Sequence, residues 1–386
     1  MSTSQDYPLL CLENPLLDIQ GQGDEKLLEK YGLKANDAIL AEEKHMGLYD
    51  DLIDNHSAKL IAGGAAQNVA RGAQYILPPK SSVYIGGVGR DKSASILQDQ
   101  ANKEGLRTEY RVDDKHPTGR CGVIITGHDR SMCTDLAAAN HYTLDHLKQP
   151  EIWKLVEQAR VYFVGGYHLT VCVPAIMALA EHAAANNKIF VLCLSAPFIP
   201  QFFKEPLDQT APYWDYVVGN ETEALAYAES HDLNTKSIQE IASHIALLPK
   251  ANAARPRTVI ITQGTDPTIV AVSPASPADD SKPIITEFPV HAIDKSQIND
   301  TNGAGWVDSY INSTLASDLH SHCLLLVSSR SIILGVFKRP PTDTMSLSDA
   351  FAGGLVAGIV KGVSLETAVD MGQWLAKLSI QELGPS

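Results

Sequence analysis

The chain has no cluster or stripe of lysine and arginine. Its 31 basic residues are outnumbered by 45 acidic ones, a net charge of −14 with histidine neutral. That balance argues against nucleic acid as the main partner. The six cysteines (Cys11, Cys121, Cys133, Cys172, Cys193, Cys323) are scattered, with no CxxC pair. They read as reduced thiols in a cytoplasmic protein, not as zinc ligands or disulfides. No basic segment followed by an apolar run stands near residue 1, so no secretory signal is expected. The longest apolar run, residues 323–337, is short and contains Arg330, which makes it a poor membrane span. Neither a GxxxxGKS/T phosphate loop nor a GxGxxG fingerprint occurs. No internal repeat is visible, and no Ser/His/Asp or Cys/His set points to nucleophilic catalysis.

What is present is an alternation of short apolar runs with helical patterns. Strands are expected at 9–12, 83–86, 161–164, 189–194, 216–218, 258–262 and 268–272, with helices at 173–186, 221–230 and 237–248. Strand–helix alternation implies an α/β fold with a mostly parallel sheet and helices on both faces. The 386 residues suffice for one large domain or two smaller ones. Residues 108–112 and 121–126 alternate like exposed strands, and 128–131 read as a polar loop.

Several polar groups stand where an α/β sheet would hold a ligand. Asn14 and Asp18 follow the first strand, although turn chemistry would also place them there. Gly63 and Gly64 precede an Ala-rich helix that carries Asn68 one turn in; they allow close backbone approach, to a ligand or simply between helix and sheet. Asn220 and Glu223, three apart, share a helix face and could hold Mg²⁺ directly or through water. They suit a helix N-terminal cap equally well. Arg130 is a candidate phosphate contact or a solvated surface arginine. Thr262 and Gly264 end a strand with a turn that could meet a nucleotide.

The most informative stretch is Asp300-Thr301-Asn302-Gly303-Ala304-Gly305, with Asp349-Ala350-Phe351-Ala352-Gly353-Gly354 downstream. Joined, they read DTNGAGDAFAGG. A Gly303-Ala304-Gly305 turn opening a helix exposes backbone N–H groups at the positive end of its dipole, able to hold the charge that grows on a phosphoryl group in flight. Asp349 on the first helical turn is then placed to accept a proton from an attacking hydroxyl.

These motifs, together with ENPLLDI, AGGAAQNVARGAQ, SAPFIPQFF, GNETEA and DMGQWLAKLSIQELGPS, resemble the adenosine kinase family, within the ribokinase-like (pfkB) sugar and nucleoside kinases. The resemblance covers nearly the whole chain except 306–348. It implies a single ribokinase-like domain over 1–386, with a small β-sheet lid built from about 18–62 and 108–140. It implies ATP-dependent phosphorylation of the adenosine 5′-hydroxyl to AMP, a purine-salvage reaction, with ATP as co-substrate and Mg²⁺ as cofactor. Asp18, Gly63, Gly64 and Asn68 would hold the ribose, with Asn14 beside them, and Tyr167 or His168 would lie against the adenine. Asn220 and Glu223 would order Mg²⁺ and its water, Arg130 would approach the transferring phosphate, and Asp349 would be the base. A monomer without membrane or nucleic-acid partner is implied, in the cytoplasm with the nucleus as a second compartment. Another ribokinase-like nucleoside or sugar kinase, or a non-catalytic nucleoside-binding protein, are the rival readings. Three positions depart from the family pattern: Glu13 for glycine, Cys193 for asparagine and Asp129 for asparagine.

Residues 306–348 separate the two halves of the joined motif. This stretch of 43 residues holds nine serines, three acidic and three basic residues, and Pro340-Pro341. Codons for Gly305-Trp306-Val307 can spell a splice donor, those for Thr342-Asp343 a branch site, and that for Ser348 an acceptor in the same phase. The stretch is therefore expected to be a translated intron, the rival being a lineage-specific insertion. Parting Gly305 from Asp349 is expected to impair activity, since a misplacement of about 1 Å can cost on the order of 10²-fold in rate.

Overall fold

Leu9–Leu12 (β1) is apolar at every position and wholly buried, the pattern of a strand covered on both faces. Leu10 and Leu12 point into one hydrophobic cluster, and Leu9 and Cys11 into another on the opposite face. A computed structural model describes residues 6–35, 38–127, 129–274, 282–293 and 347–382. Within them β1 lies inside a nine-stranded sheet.

The other strands of that sheet are Ser82–Gly89 (β5), Arg107–Asp113 (β6), Val161–Gly165 (β9), Ile189–Cys193 (β10), Tyr216–Asn220 (β11), Thr258–Gln263 (β12), Asp266–Val272 (β13) and Ile284–Phe288 (β14). Their order is β14-β13-β12-β11-β10-β9-β1-β5-β6. Pairing is parallel from β12 through to β6, and β13 and β14 add an antiparallel edge. The chain builds outward from β1 in one direction through β5 and β6. It then returns to β9 and builds the other way. The reversal between β1 and β9 is the crevice where open α/β sheets take ligands, outside the carboxyl ends of the strands.

One face of the sheet is covered by helices including Pro150–Gln158, Val173–Ala185 and Ile238–Ala246. The other is covered by Ala65–Ile76 and Leu347–Lys361, which pack on each other. Their approach is close because a Cβ at Gly353 would stand 3.0 Å from Val69 O and 3.2 Å from Gly72 Cα.

A second sheet is formed by Leu16–Gln22 (β2), Ala38–Leu40 (β3), Lys59–Gly63 (β4), Arg120–Thr126 (β7) and Asp129–Asp135 (β8), in the order β3-β8-β7-β2-β4. Its own core gathers Ile19, Leu27, Leu28, Leu48, Tyr49, Leu52 and Ile124. Two expectations are corrected here. Residues 108–112, expected as an exposed strand and placed in the small sheet by the family resemblance, lie in Arg107–Asp113, which instead pairs with β5 at the edge of the large sheet. A strand covered on one face alternates in the same way whichever sheet it joins. Residues 129–131, expected as loop, belong to β8, because antiparallel pairing with β7 organises even a polar segment. The strands β2, β3, β4 and β14 also went unpredicted. Among the described residues no helix is long and apolar enough to cross a membrane.

Candidate active site

The site begins where β1 ends. Glu13 and Asn14 follow Leu12, and Pro15 carries the chain across into β2. Register aligns Leu12 with Val164 and Gly165 with Cys193, so Glu13, Gly165 and Cys193 lie level across three adjacent strands. Gly165 has no side chain, and Glu13 uses the space: a Cβ at Gly165 would overlap Glu13 Oε1. Glu13 Oε2 accepts the Ala66 N–H at 2.9 Å, at the start of the Ala65–Ile76 helix. The departure at Glu13 is thus accommodated by Gly165 and by an N-terminal helix donor. Burial pushes its carboxyl up to about 8; the Ala66 N–H opposes the shift and the charge of Asp349 adds to it.

Gly64 turns the chain from β4 into that helix at φ +97, and a Cβ there would stand 2.6 Å from Asn14 O. Only glycine allows both the conformation and the approach. Gly63 leaves room for the Asp18 carboxylate, whose atoms a Cβ would overlap. Asp18 sits on β2 facing the same crevice. Burial raises its carboxyl to about 7 and Asp349 adds to this, while the positive charges of Arg130 and Arg71 oppose it. Arg130 is half-buried on β8 and bears electrostatically on Asp18. It is not a fully solvated surface arginine.

Asp349 lies in the first turn of Leu347–Lys361. Its Oδ2 accepts from Asn68 Nδ2 at 3.1 Å across 281 residues of sequence. Its charge acts on Glu13, Asp18, Glu223 and Tyr167 alike, so groups from five segments converge around it. Leu347 and Ser348, the last two residues of the 306–348 stretch, already belong to this helix. Gly303, Ala304, Gly305 and residues 306–346 lie outside the described residues.

Asn220 and Glu223 form a capping box. Asn220 Oδ1 accepts the Glu223 N–H at 2.9 Å, Glu223 Oε2 accepts the Asn220 N–H at 3.1 Å, and Asn220 Nδ2 donates to Oε1 at 2.9 Å. The helix-cap alternative for these residues is realised. Burial raises the Glu223 carboxyl to about 7, with the Asn220 N–H opposing and Asp349 adding. Thr262 is level with Asn220 in the register and donates to Gly219 O at 3.4 Å. Gly264 takes φ +58 in the β12–β13 turn.

Of the two candidates for an aromatic face, His168 is fully buried. Burial lowers it to about 3, which keeps it neutral, and its Nδ1 lies 3.1 Å from Asn14 Oδ1. It orients Asn14, and Asn14 Nδ2 has no hydrogen-bond partner among the described residues. Tyr167 is half-buried, its ring 5.9 Å from Phe198. Nearby, Phe198, Phe202 and Phe203 face Ala38, Ile39 and Leu40 of β3 across an apolar cavity of about 290 Å³. None of those six residues was singled out individually from the sequence. The signal was the phenylalanines within SAPFIPQFF, of which Phe202 is 78% exposed. Arg71 was missed too; it lies three residues after Asn68 on the same helix.

Residues 25–322 and 323–386 match the family described as pfkB family carbohydrate kinase. The chain belongs to that family. The two matched parts abut inside the 306–348 stretch. The chain is 43% identical over 380 residues to adenosine kinase of Schizosaccharomyces pombe, covering 98% of this chain and 95% of that one. It is 41% identical over 385 residues to adenosine kinase of Saccharomyces cerevisiae, covering 98% and 96%. In three dimensions it is similar to Anopheles gambiae adenosine kinase in complex with P1,P4-di(adenosine-5) tetraphosphate. The TM-score is 0.82 and the identity 36%, over 99% of each chain.

Proposed function

We propose that the chain transfers the γ-phosphoryl group of ATP to the 5′-hydroxyl of adenosine, giving AMP and ADP. The observation that carries this reading is the convergence on Asp349. A carboxylate in the first turn of a helix faces Asn68, Asp18 and Glu223 at the topological switch of the sheet. Phosphoryl transfer asks for positioning and charge stabilisation more than covalent chemistry.

In this reading Asp349 takes the proton from the 5′-hydroxyl, and Gly303, Ala304 and Gly305 supply backbone donors to the transferring group. Asp18, Asn68 and the Gly63-Gly64 backbone hold the ribose. Asn14 Nδ2, left unpaired and held in place by His168, donates to a sugar hydroxyl. The adenine lies against Tyr167 and the apolar cavity that Phe198 and Ile39 line. Arg130 and the Thr262–Gly264 turn meet the phosphates and nucleotide of ATP.

Mg²⁺ fits at Asn220 and Glu223 through water. Both Glu223 oxygens already accept within the capping box, and no group of three or more ligating side chains occurs among the described residues. Mg²⁺ retains several of its waters, and a nearby dication would relieve the charge repulsion between Glu223 and Asp349. When bound, the ion would supply charge neutralisation to the phosphates, and Glu223 and Asn220 would orient its water shell.

Residues 306–348 are read as an insertion, in keeping with the family match dividing inside them. The test is ATP-dependent AMP formation by the full chain and by a form lacking 306–348, with adenosine, inosine and ribose offered in turn. Turnover of adenosine ahead of the other two is the expected result. Equal use of ribose, or binding of adenosine with no AMP from either form, overturns the reading.

A further inference from the structure

The Ala65–Ile76 helix carries an arginine that is almost wholly buried, Arg71, 2% exposed. Its Nε and Nη2 donate to Glu104 Oε2 and Oε1 at 2.6 and 2.7 Å. Glu104 ends the Lys92–Lys103 helix and also accepts from Gln100 Nε2 at 2.6 Å. Arg71 Nη1 donates to Ala62 O of β4 at 3.0 Å and to Asn68 Oδ1 at 3.1 Å. One guanidinium therefore joins the helix of Asn68, the small sheet, and the end of a third element.

The chemistry of the two partners of Asn68 decides its orientation. A guanidinium only donates, so Asn68 must turn Oδ1 towards Arg71. That leaves Nδ2 for Asp349, a carboxylate that accepts, and their separation is 3.1 Å. Rotating the amide by half a turn would set two donors face to face at Arg71 and two acceptors face to face at Asp349. Both ends would be repulsive in a poorly solvated site, with Asn68 4% exposed. Asp349 by itself already favours the amide nitrogen; Arg71 holds the opposite end, so the amide is pinned at both its oxygen and its nitrogen.

We propose that Arg71 is a positioning residue of the phosphoryl-transfer site, acting through the Asn68 amide to aim the carboxylate of Asp349. The inference rests on the kinase reading above, but the link from Arg71 to Asn68 is testable apart from it. Arg71→Met removes the donor, Arg71→Lys keeps one donor and the charge, and Asn68→Ala removes the relay. The expected result is a fall in kcat of about 10- to 100-fold for Arg71→Met, with a much smaller change in KM for adenosine. Arg71→Lys recovers part of the loss. In the Asn68→Ala background Arg71→Met costs far less in kcat than it does alone, because the two substitutions cut one path and only the charge that Arg71 exerts on Asp18 remains to be lost. Losses that multiply, or an unchanged kcat per folded molecule with only a lower unfolding midpoint, overturn the proposal and make Arg71 a structural pin.

A readout free of turnover accompanies these assays. The Asn68 side-chain amide protons, observed after selective ¹⁵N-asparagine labelling, are expected to exchange with solvent faster in Arg71→Met. Unchanged exchange refutes the link even if the chain proves to phosphorylate something other than adenosine. Absence of AMP formation by both the full chain and the form lacking 306–348 would instead count against the kinase reading.

Discussion

Replacing Glu13 by glutamine tests the electrostatics of the site without touching its shape. The Glu13 side chain is 1% exposed, lies over Gly165 and accepts one helix N-terminal N–H. Burial and the charge of Asp349 place its carboxyl at about 8, against an ordinary value of 4.5. Because the folded value lies above the unfolded one, the native protein holds a proton that the unfolded chain releases. Stability from this group is complete below pH 4.5 and is lost as pH rises towards 8. The slope is about 1.4 kcal/mol per pH unit in the middle of that window and falls to half of that at pH 8. Asp18 and Glu223, both raised to about 7, add to the slope below pH 7. The interval from 7 to 8 therefore belongs mainly to Glu13.

Glutamine can still accept the Ala66 N–H but does not titrate. Urea unfolding at half-unit steps from pH 5.5 to 8.5 should show the unsubstituted protein losing stability across the range. Glu13→Gln should gain on it by about 1 kcal/mol between pH 7 and 8. Parallel stability curves would mean that Glu13 is ionised in the native state, and the account of how Gly165, Ala66 and Asp349 set its charge would fail.

Asp349→Asn is expected to lower kcat by about 10²–10⁴-fold, the range of general-base catalysis. It should also raise the urea midpoint at pH 8, since it removes the charge that opposes ionisation of Glu13, Asp18 and Glu223; a lowered midpoint would contradict this. Gly64→Ala forces a Cβ to 2.6 Å from Asn14 O at φ +97, and a loss of about 1–3 kcal/mol with a raised KM for adenosine should follow, read by denaturation and steady-state kinetics. Arg257 is fully buried and donates to the carbonyls of Trp214, Ile245, Leu248, Ala211 and Pro249. Arg257→Met removes a donor from all five carbonyls, of which Ala211 O and Ile245 O keep a backbone N–H, and should cost about 4 kcal/mol; Arg257→Lys should not rescue it, as circular dichroism melting would show.

Local signals in the chain were enough for the parallel sheet, since short apolar runs such as Leu9–Leu12 and Val161–Gly165 alternate with helical patterns, as strands covered on both faces do. The Asn220–Glu223 pair was legible as a cap because its partners are three residues apart. Asp349 was expected on the first turn of a helix and is found there. In each case the interacting groups are neighbours along the chain, or the pattern reports directly on burial. Tertiary structure alone decided the rest. Periodicity says which face of Arg107–Asp113 is covered but not which sheet covers it, and the strand went to the larger one. Asn68 meets Asp349 across 281 residues because the sheet order brings their two helices together at Gly353. Glu13 is tolerable only because a residue on a neighbouring strand is glycine. Arg71 is an unremarked helix arginine until Glu104, Ala62 and Asn68 surround it. A sequence carries each residue's own chemistry, while the dielectric around it and the partner opposite it are properties of the packed chain.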